Sequence, residues 1–423
     1  MTLSPLRVAA LVDLPRSDHA GGHVKCWERF ATAAAQSDLP LDLTVYFTGD
    51  APDEVLAPHV RLRHLRPVFS TARLKFLPYV PDHTDLASRH PRLERELKHY
   101  DVIHTTDGIF AFTQTAERVS KRLGVPLVTS FHTDTPSYTR IFTQQTIETI
   151  FGKWPRVRHK LIEDWKIPER QQQSMQRKLE RHVRSCRYAL VTRAEDHRLA
   201  ETLIGKEHVG HLRLGIDREM FGTHRQDRTG VLDDYAIPED RILALFVGRI
   251  DAGKNIETLT EAIEILLAKN APIHLIVAGI GPFADDVRRR LGDHVSLPGF
   301  VEPSELARLY ASVDLCVVPS EVEMRSMACV EAMACGCPTM ISSKSGIFDL
   351  FDQTPAMQVI DSGAENWATA LRDFMNSKNR QSAMRKAAID YGQHHLASWR
   401  DVLAEDLFAY WDKAFKERQR QAA

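Results

Sequence analysis

Two glutamates, Glu323 and Glu331, stand eight positions apart in the stretch SEVEMRSMACVEAMACGCP, residues 320–338. Upstream, LFVGRIDAGKN sets Gly248, Arg249 and Lys254 in one short run. Arginine grips a diphosphate through two parallel N–H bonds, and lysine acts as a compact point charge. Carboxylates accept hydrogen bonds from sugar hydroxyls, so the spacing of the glutamates lets one meet a ribose and the other a sugar, with a diphosphate between. The same residues also fit a plainer arrangement: a surface turn, a capping glutamate and an exposed helical glutamate. A further pair, Gly279 and Gly281 in LIVAGIGPF, allows either close approach of a ligand or a tight turn. It falls short of G-x-G-x-x-G, so a nicotinamide site is not supported.

The elements that must position these residues follow from the apolar pattern. Short runs rich in Val, Ile and Leu alternate with longer helical patterns, which predicts parallel sheets covered by helices on both faces. RVAALVDL, LDLTVYFTG, DVIHTT, PLVTSF and YALVT are the strands expected before residue 200, and ILALFVGR, IHLIVAG, VSLPGF, LCVVPS and CPTMISS form a second set. Two doubly wound α/β domains result. LCVVPS reads as a buried strand and MACVEAMACG as a helix closed by Gly336 and Pro338, so the helix N-terminus falls near residues 324–328, among them Arg325, Ser326 and Met327. Its free N–H groups favour a phosphate there, with Glu323 just before the helix and Glu331 about two turns inside. In the first half, Gly21 and Gly22 lie between strand one and its helix. His132, in VTSFHTDTPSY, follows a buried strand and is expected at the sheet's carboxyl edge.

Length and charge narrow the possibilities. A chain of 423 residues exceeds one ordinary core, which agrees with two domains. The predicted boundaries are 1–213 with a returning helix at 398–423, and 214–397. A formal net charge of −1 offers no overall attraction to nucleic acid, and no single-strand stacking module is legible. The six cysteines are scattered, as expected of reduced thiols in a cytoplasmic protein. No run approaches ~18 consecutive apolar residues, so no transmembrane helix is expected, and the opening MTLSPLRVAALVDL reads as a strand rather than a signal peptide.

Charge is concentrated in one place. Residues 153–187 hold eleven Lys or Arg against four Asp or Glu. Trp154, Arg156, Arg158, Lys160 and Trp165 lie in this segment, and rings beside cations suit a membrane interface. A solvated helix whose tryptophans pack inward is the alternative. Residues 61–81, RLRHLRPVFSTARLKFLPYVP, repeat the mixture.

Taken together, GGHVKCWERFA, PLVTSFHTD, RLGIDREMF, VGRIDAGKN, AGIGP, LPGFV, PSEVEMRSMACVEAMACGCPTM and SWRDVLAEDLFAYW resemble, in order and spacing, the retaining glycosyltransferases of the GT-B fold, family 4. The resemblance implies two Rossmann-like domains facing across a cleft and a C-terminal helix that crosses back to the first. It implies that Glu323 contacts the donor sugar, Glu331 the ribose, Arg249 and Lys254 the diphosphate, and Gly22 the same group from the first domain. His132 would lie near the donor sugar and the acceptor. The substrate would be a UDP-sugar or another nucleoside-diphosphate sugar, with no cofactor and, absent a D-x-D motif in a suitable loop, no metal. Members that glycosylate membrane lipids use a first-domain surface to reach them, which implies a lipid acceptor such as diacylglycerol and a peripheral position on the inner face of the membrane. A polysaccharide or lipopolysaccharide precursor is the other acceptor. Arg325 and Ser326 stand where the family usually has Phe-Gly, and Ile280 where it often has an acidic residue. Those departures bear on donor choice, suggesting a uronic-acid donor held by Arg325, or else a non-catalytic binding protein. A nucleotide-sugar epimerase would share the paired domains without needing an acceptor.

Overall fold

In a computed structural model the sheet of the first unit grows from β1, Leu6–Pro15, whose residues Val8 to Val12 are fully buried because both faces of the strand are covered. The structure describes residues 4–17, 20–71, 85–323, 325–345, 347–351 and 353–422. The chain divides into Met1–Arg213 with Trp399–Ala423, and Leu214–Ser398.

The first unit adds β2 (Leu41–Thr48), β3 (Glu54–Ala57), β4 (Val60–Leu65), β5 (Val102–Thr105), β6 (Leu127–Ser130), β7 (Tyr188–Val191) and β8 (Val209–His211). Their order is β3-β4-β2-β1-β5-β6-β7-β8, parallel throughout except for the β3–β4 edge. Strand order reverses between β1 and β5, the place where the loops leaving a doubly wound sheet diverge and leave room for a ligand. The helical segment 399–422 packs on this unit, with Val402–Phe408 wound as a π-helix. Asp406 accepts from the Arg213 backbone at 2.8 Å and from its guanidinium, while Trp411 is wholly buried.

The second unit contains β9 (Gly215–Ile216), β10 (Ile242–Val247), β11 (Ile273–Ala278), β12 (Val295–Gly299), β13 (Leu315–Val318), β14 (Thr339–Ser342), β15 (Met357–Ile360) and β16 (Ala397–Ser398). Six of these strands form one parallel sheet in the order β12-β11-β10-β13-β14-β15, and β9 pairs with β16. Along β10, Leu243 and Leu245 enter one apolar cluster and Ala244 and Phe246 another. Alternate side chains point to opposite faces, so an unbroken apolar run is what a strand covered on both sides requires.

Three sequence expectations need correction. Residues 61–65 are part of β4, with Leu62 and Leu65 buried, and Arg61 and Arg63 are engaged by Asp42, Asp53 and Glu96. That part of 61–81 is therefore sheet rather than a free basic surface, and 72–81 lie outside the described residues. Ser398 belongs to β16 in the second unit, so the returning segment starts at Trp399. Glu331 is the fifth residue of the helix Met327–Ala334, little more than one turn inside.

Candidate functional site

In the second unit strand order reverses between β10 and β13, and the loops leaving these two strands are tied together. The Asp251 side chain accepts from Lys254 N at 3.1 Å and its other oxygen lies 3.2 Å from Arg249 Nη1, which fixes the loop after β10. Asn255, with φ 54°, donates to the Pro319 carbonyl at 3.1 Å, and Ser320 donates to the Gly253 carbonyl at 3.1 Å. These bonds bring Lys254 Nζ to 2.5 Å from Glu323 Oε1. Glu323 is 6% exposed and lies against that cation. Arg249 is half exposed beside the pair.

Glycine is required here by backbone packing. Gly248 has φ 151° and Gly279 φ 156°. A Cβ on Gly279 would fall 1.8 Å from the Gly248 carbonyl oxygen, and one on Gly281 would fall 2.4 Å from that of Ile250. Ile250 N donates to Ile280 O at 2.9 Å between them. The loops after β10 and β11 thus lie backbone against backbone, which is the task the structure gives Gly279 and Gly281. Ser326 caps the helix Met327–Ala334 by accepting from Cys329 N at 3.4 Å. Met327 is the first helical residue, Arg325 and Glu331 are partly exposed, and Gly336 at φ 71° follows the helix end. Lys254 and Glu323 are thus in contact, Arg249 joins them through Asp251, and Arg325, Ser326, Met327 and Glu331 follow along the next turn and helix.

In the first unit, Gly22 is the first residue of the helix Gly22–Ala35, capped by Gly21. One turn of that helix aims His23 and Trp27 at His132, which follows β6. The His23 and His132 rings stack at 4.5 Å with 4° between planes, and Trp27 Nε1 donates to His132 Nε2 at 3.3 Å. Ser130 Oγ lies 2.7 Å from the same nitrogen. Sequence reasoning missed His23, Trp27 and Ser130. The i, i+4 spacing of His23 and Trp27 was the available signal.

The basic segment is exposed. Trp154 is 60% and Trp165 47% accessible, with Ile150 at 43% and Val157 at 41%, so neither tryptophan packs inward. Arg156, Arg158 and Lys160 stand beside them in open positions, and Lys160 Nζ sits 5.2 Å from the Trp165 ring centroid. At the far end of the next helix, His182 fastens the segment to the helix Ala111–Leu123 through Glu117 at 2.7 Å and to β5 through Thr105 at 2.8 Å. Among the described residues no group of three or more His, Cys, Asp or Glu could hold a metal, and no helix is long and apolar enough to cross a membrane.

Residues 228–391, within the second unit, match the model of the family described as glycosyl transferases group 1. The chain is 26% identical to the sulfoquinovosyl transferase SQD2 of Arabidopsis thaliana over 70% of its own length and 54% of that protein's. It is also 26% identical to the D-inositol 3-phosphate glycosyltransferase of Thermobifida fusca, over 97% of this chain and 94% of the relative. The solved sucrose-phosphate synthase of Thermosynechococcus elongatus superposes with a TM-score of 0.71 at 18% identity, covering 97% of this chain and all of that one. The fold is GT-B, α/β with two Rossmann-like domains.

The packing of the two loops yields a stability prediction. Gly279→Ala will cost about 3 kcal/mol or more in urea unfolding, since it combines a strained φ with a backbone clash. Gly21→Ala, at φ −66° with nothing within 4 Å of the added carbon, will cost less than about 1 kcal/mol. Equal losses would contradict this reading.

Proposed function

We propose that this chain is a retaining glycosyltransferase that moves a sugar from a nucleoside diphosphate to a hydroxyl of a lipid held at an anionic membrane. The observation that carries the transferase reading is the Lys254–Glu323 pair at the strand-order reversal of the second unit. In this reading Lys254 turns to a phosphate oxygen when the donor binds, and Glu323 is released to accept from the sugar hydroxyls. Arg249 grips the diphosphate, Glu331 meets the ribose, and the N-terminus of the Met327–Ala334 helix adds partial positive charge. The bond from C1 to the diphosphate oxygen breaks, and C1 bonds to the acceptor oxygen on the same face. The acceptor proton passes to a phosphate oxygen of the leaving group. Preorganised positive charge at that leaving group is the main contribution of the protein, and no step requires a metal or cofactor.

The acceptor reading is supported by the exposed rings and cations around Trp154 and Trp165, in a chain of nearly zero net charge. Each Lys or Arg near an anionic surface contributes on the order of 1 kcal/mol, so Lys153, Arg156, Arg158, Lys160 and Lys166 suffice for reversible docking. The near full-length match to a D-inositol 3-phosphate glycosyltransferase favours a second reading, transfer to a water-soluble acceptor. Arg325, two residues after Glu323, supports an acidic donor sugar, because a guanidinium pairs bidentately with a carboxylate.

Two measurements test these readings. In co-sedimentation with vesicles of rising anionic-lipid content, binding will increase with charge and weaken at high salt, and Trp154→Ala with Trp165→Ala will reduce it. Absence of binding at low salt, with transfer to a soluble acceptor, favours the second reading. In donor competition, wild type will prefer UDP-glucuronate over UDP-glucose relative to Arg325→Ala; an unchanged preference removes the acidic-donor assignment.

A further inference from the structure

The polarity of the hydrogen bonds around His132 is dictated by groups that have no choice of role. An indole N–H can only donate. Trp411 Nε1 lies 2.9 Å from His104 Nδ1, so that nitrogen is the acceptor. His104 is wholly buried, and burial holds its pKa down to about 3, so the ring is neutral with its proton on Nε2. That nitrogen donates to Ser130 Oγ at 2.8 Å. After accepting from His104 the Ser130 hydroxyl still has a lone pair and a proton to offer, so the direction of its 2.7 Å contact with His132 Nε2 is set from the other side of that nitrogen. Trp27, the second indole, donates to the same nitrogen at 3.3 Å. Because the indole can only donate, Trp27 demands a lone pair on His132 Nε2; Ser130 then donates to the same nitrogen, and the ring proton lies on Nδ1.

We propose that Trp411, His104 and Ser130, with Trp27 as a second donor, are positioning residues that hold His132 as the neutral Nδ1–H tautomer, so that its ring offers a hydrogen-bond donor and not a general base. The last clause rests on the transferase reading above; the tautomer does not. Neither nitrogen of His132 can take a proton from an acceptor hydroxyl. Nδ1 already carries one, and the Nε2 lone pair is occupied by two donors. Reversing the tautomer means turning His104, Ser130 and His132 together in a buried setting where each unpaired group is costly. The titratable groups facing His132 include His23, stacked on it from the helix Gly22–Ala35, and His104 on β5 through Ser130. A charged His132 would set its added proton against the Ser130 and Trp27 donors. The returning C-terminal segment thus supplies, through Trp411, the first donor of a relay that ends at His132, and this gives the indole a task beyond filling the core.

The test is a long-range proton–nitrogen NMR correlation on the full chain with labelled histidine at neutral pH, His132 being assigned by its loss in His132→Gln and His104 by its loss in His104→Gln. The expected spectrum shows a protonated, pyrrole-type Nδ1 and a bare, pyridine-type Nε2 for His132, with the opposite pattern for His104. A protonated Nε2 or an imidazolium at His132 overturns the proposal. Trp411→Phe keeps the aromatic bulk but removes the donor, and Ser130→Ala cuts the relay in the middle. In each, the His132 signals will move toward a mixture of tautomers. Unchanged signals in both variants would also overturn the relay. The spectrum needs no donor or acceptor substrate, so its outcome is separate from that of the transfer assay.

Discussion

The contact on which the second unit depends joins a carboxylate nearly out of reach of water, Glu323, to the ammonium of Lys254. The two residues lie on loops leaving neighbouring strands, β10 and β13, on either side of the point where the sheet reverses its order. Much of the second unit serves this meeting. Asn255 and Ser320 tie one loop to the other, Asp251 fixes the turn before Lys254, and two glycines let the adjoining loop lie flat against Gly248 and Ile250. A pair held this way presents a cation and an acceptor side by side before any ligand arrives.

The first unit solves a different physical problem. Around His132 it assembles two indoles, which can only donate, with a serine and a second histidine whose roles follow from them. Such a cluster carries no net charge to desolvate, and its specificity comes from the direction of each hydrogen bond. One contributor arrives from the far end of the chain. The Arg213–Asp406 contacts and the buried Trp411 make the returning segment part of this unit's core, so the chain's end is structural as well as terminal.

The sheet-forming runs were legible because strands buried on both faces have no polar alternation to obscure them, as with Val8 to Val12 and Leu243 to Phe246. β3, β4, β8 and β15 were not legible as strands, being short or studded with charge. In β4, Arg61 and Arg63 alternate with buried Leu62 and His64, and the arginines are matched by carboxylates distant in sequence. The pair Lys254–Glu323 was legible as two residues of suitable chemistry, but their direct contact depends on strand order, which no local pattern encodes. Gly279 and Gly281 stood out in the sequence, yet only the backbone path shows that each faces another loop's carbonyl. His132 was found by its place after a strand. Its partners were not, because Trp411 and His104 are joined across 307 positions of chain.

The central claim is that Glu323 and Lys254 divide the recognition of a nucleotide sugar between its sugar and its diphosphate. It is tested most directly by calorimetric titration of wild type, Glu323→Gln and Lys254→Met, each with one nucleotide sugar and with the corresponding bare nucleoside diphosphate. The ligand is chosen as the UDP-, GDP- or ADP-sugar that most raises the melting temperature of the wild type. The account predicts that Glu323→Gln weakens the nucleotide sugar about 10-fold, the equivalent of one charged hydrogen bond, while the bare diphosphate binds as before or more tightly. Lys254→Met weakens both. Wild-type affinity for the nucleotide sugar in Glu323→Gln, or an equal loss for both ligands, would contradict it.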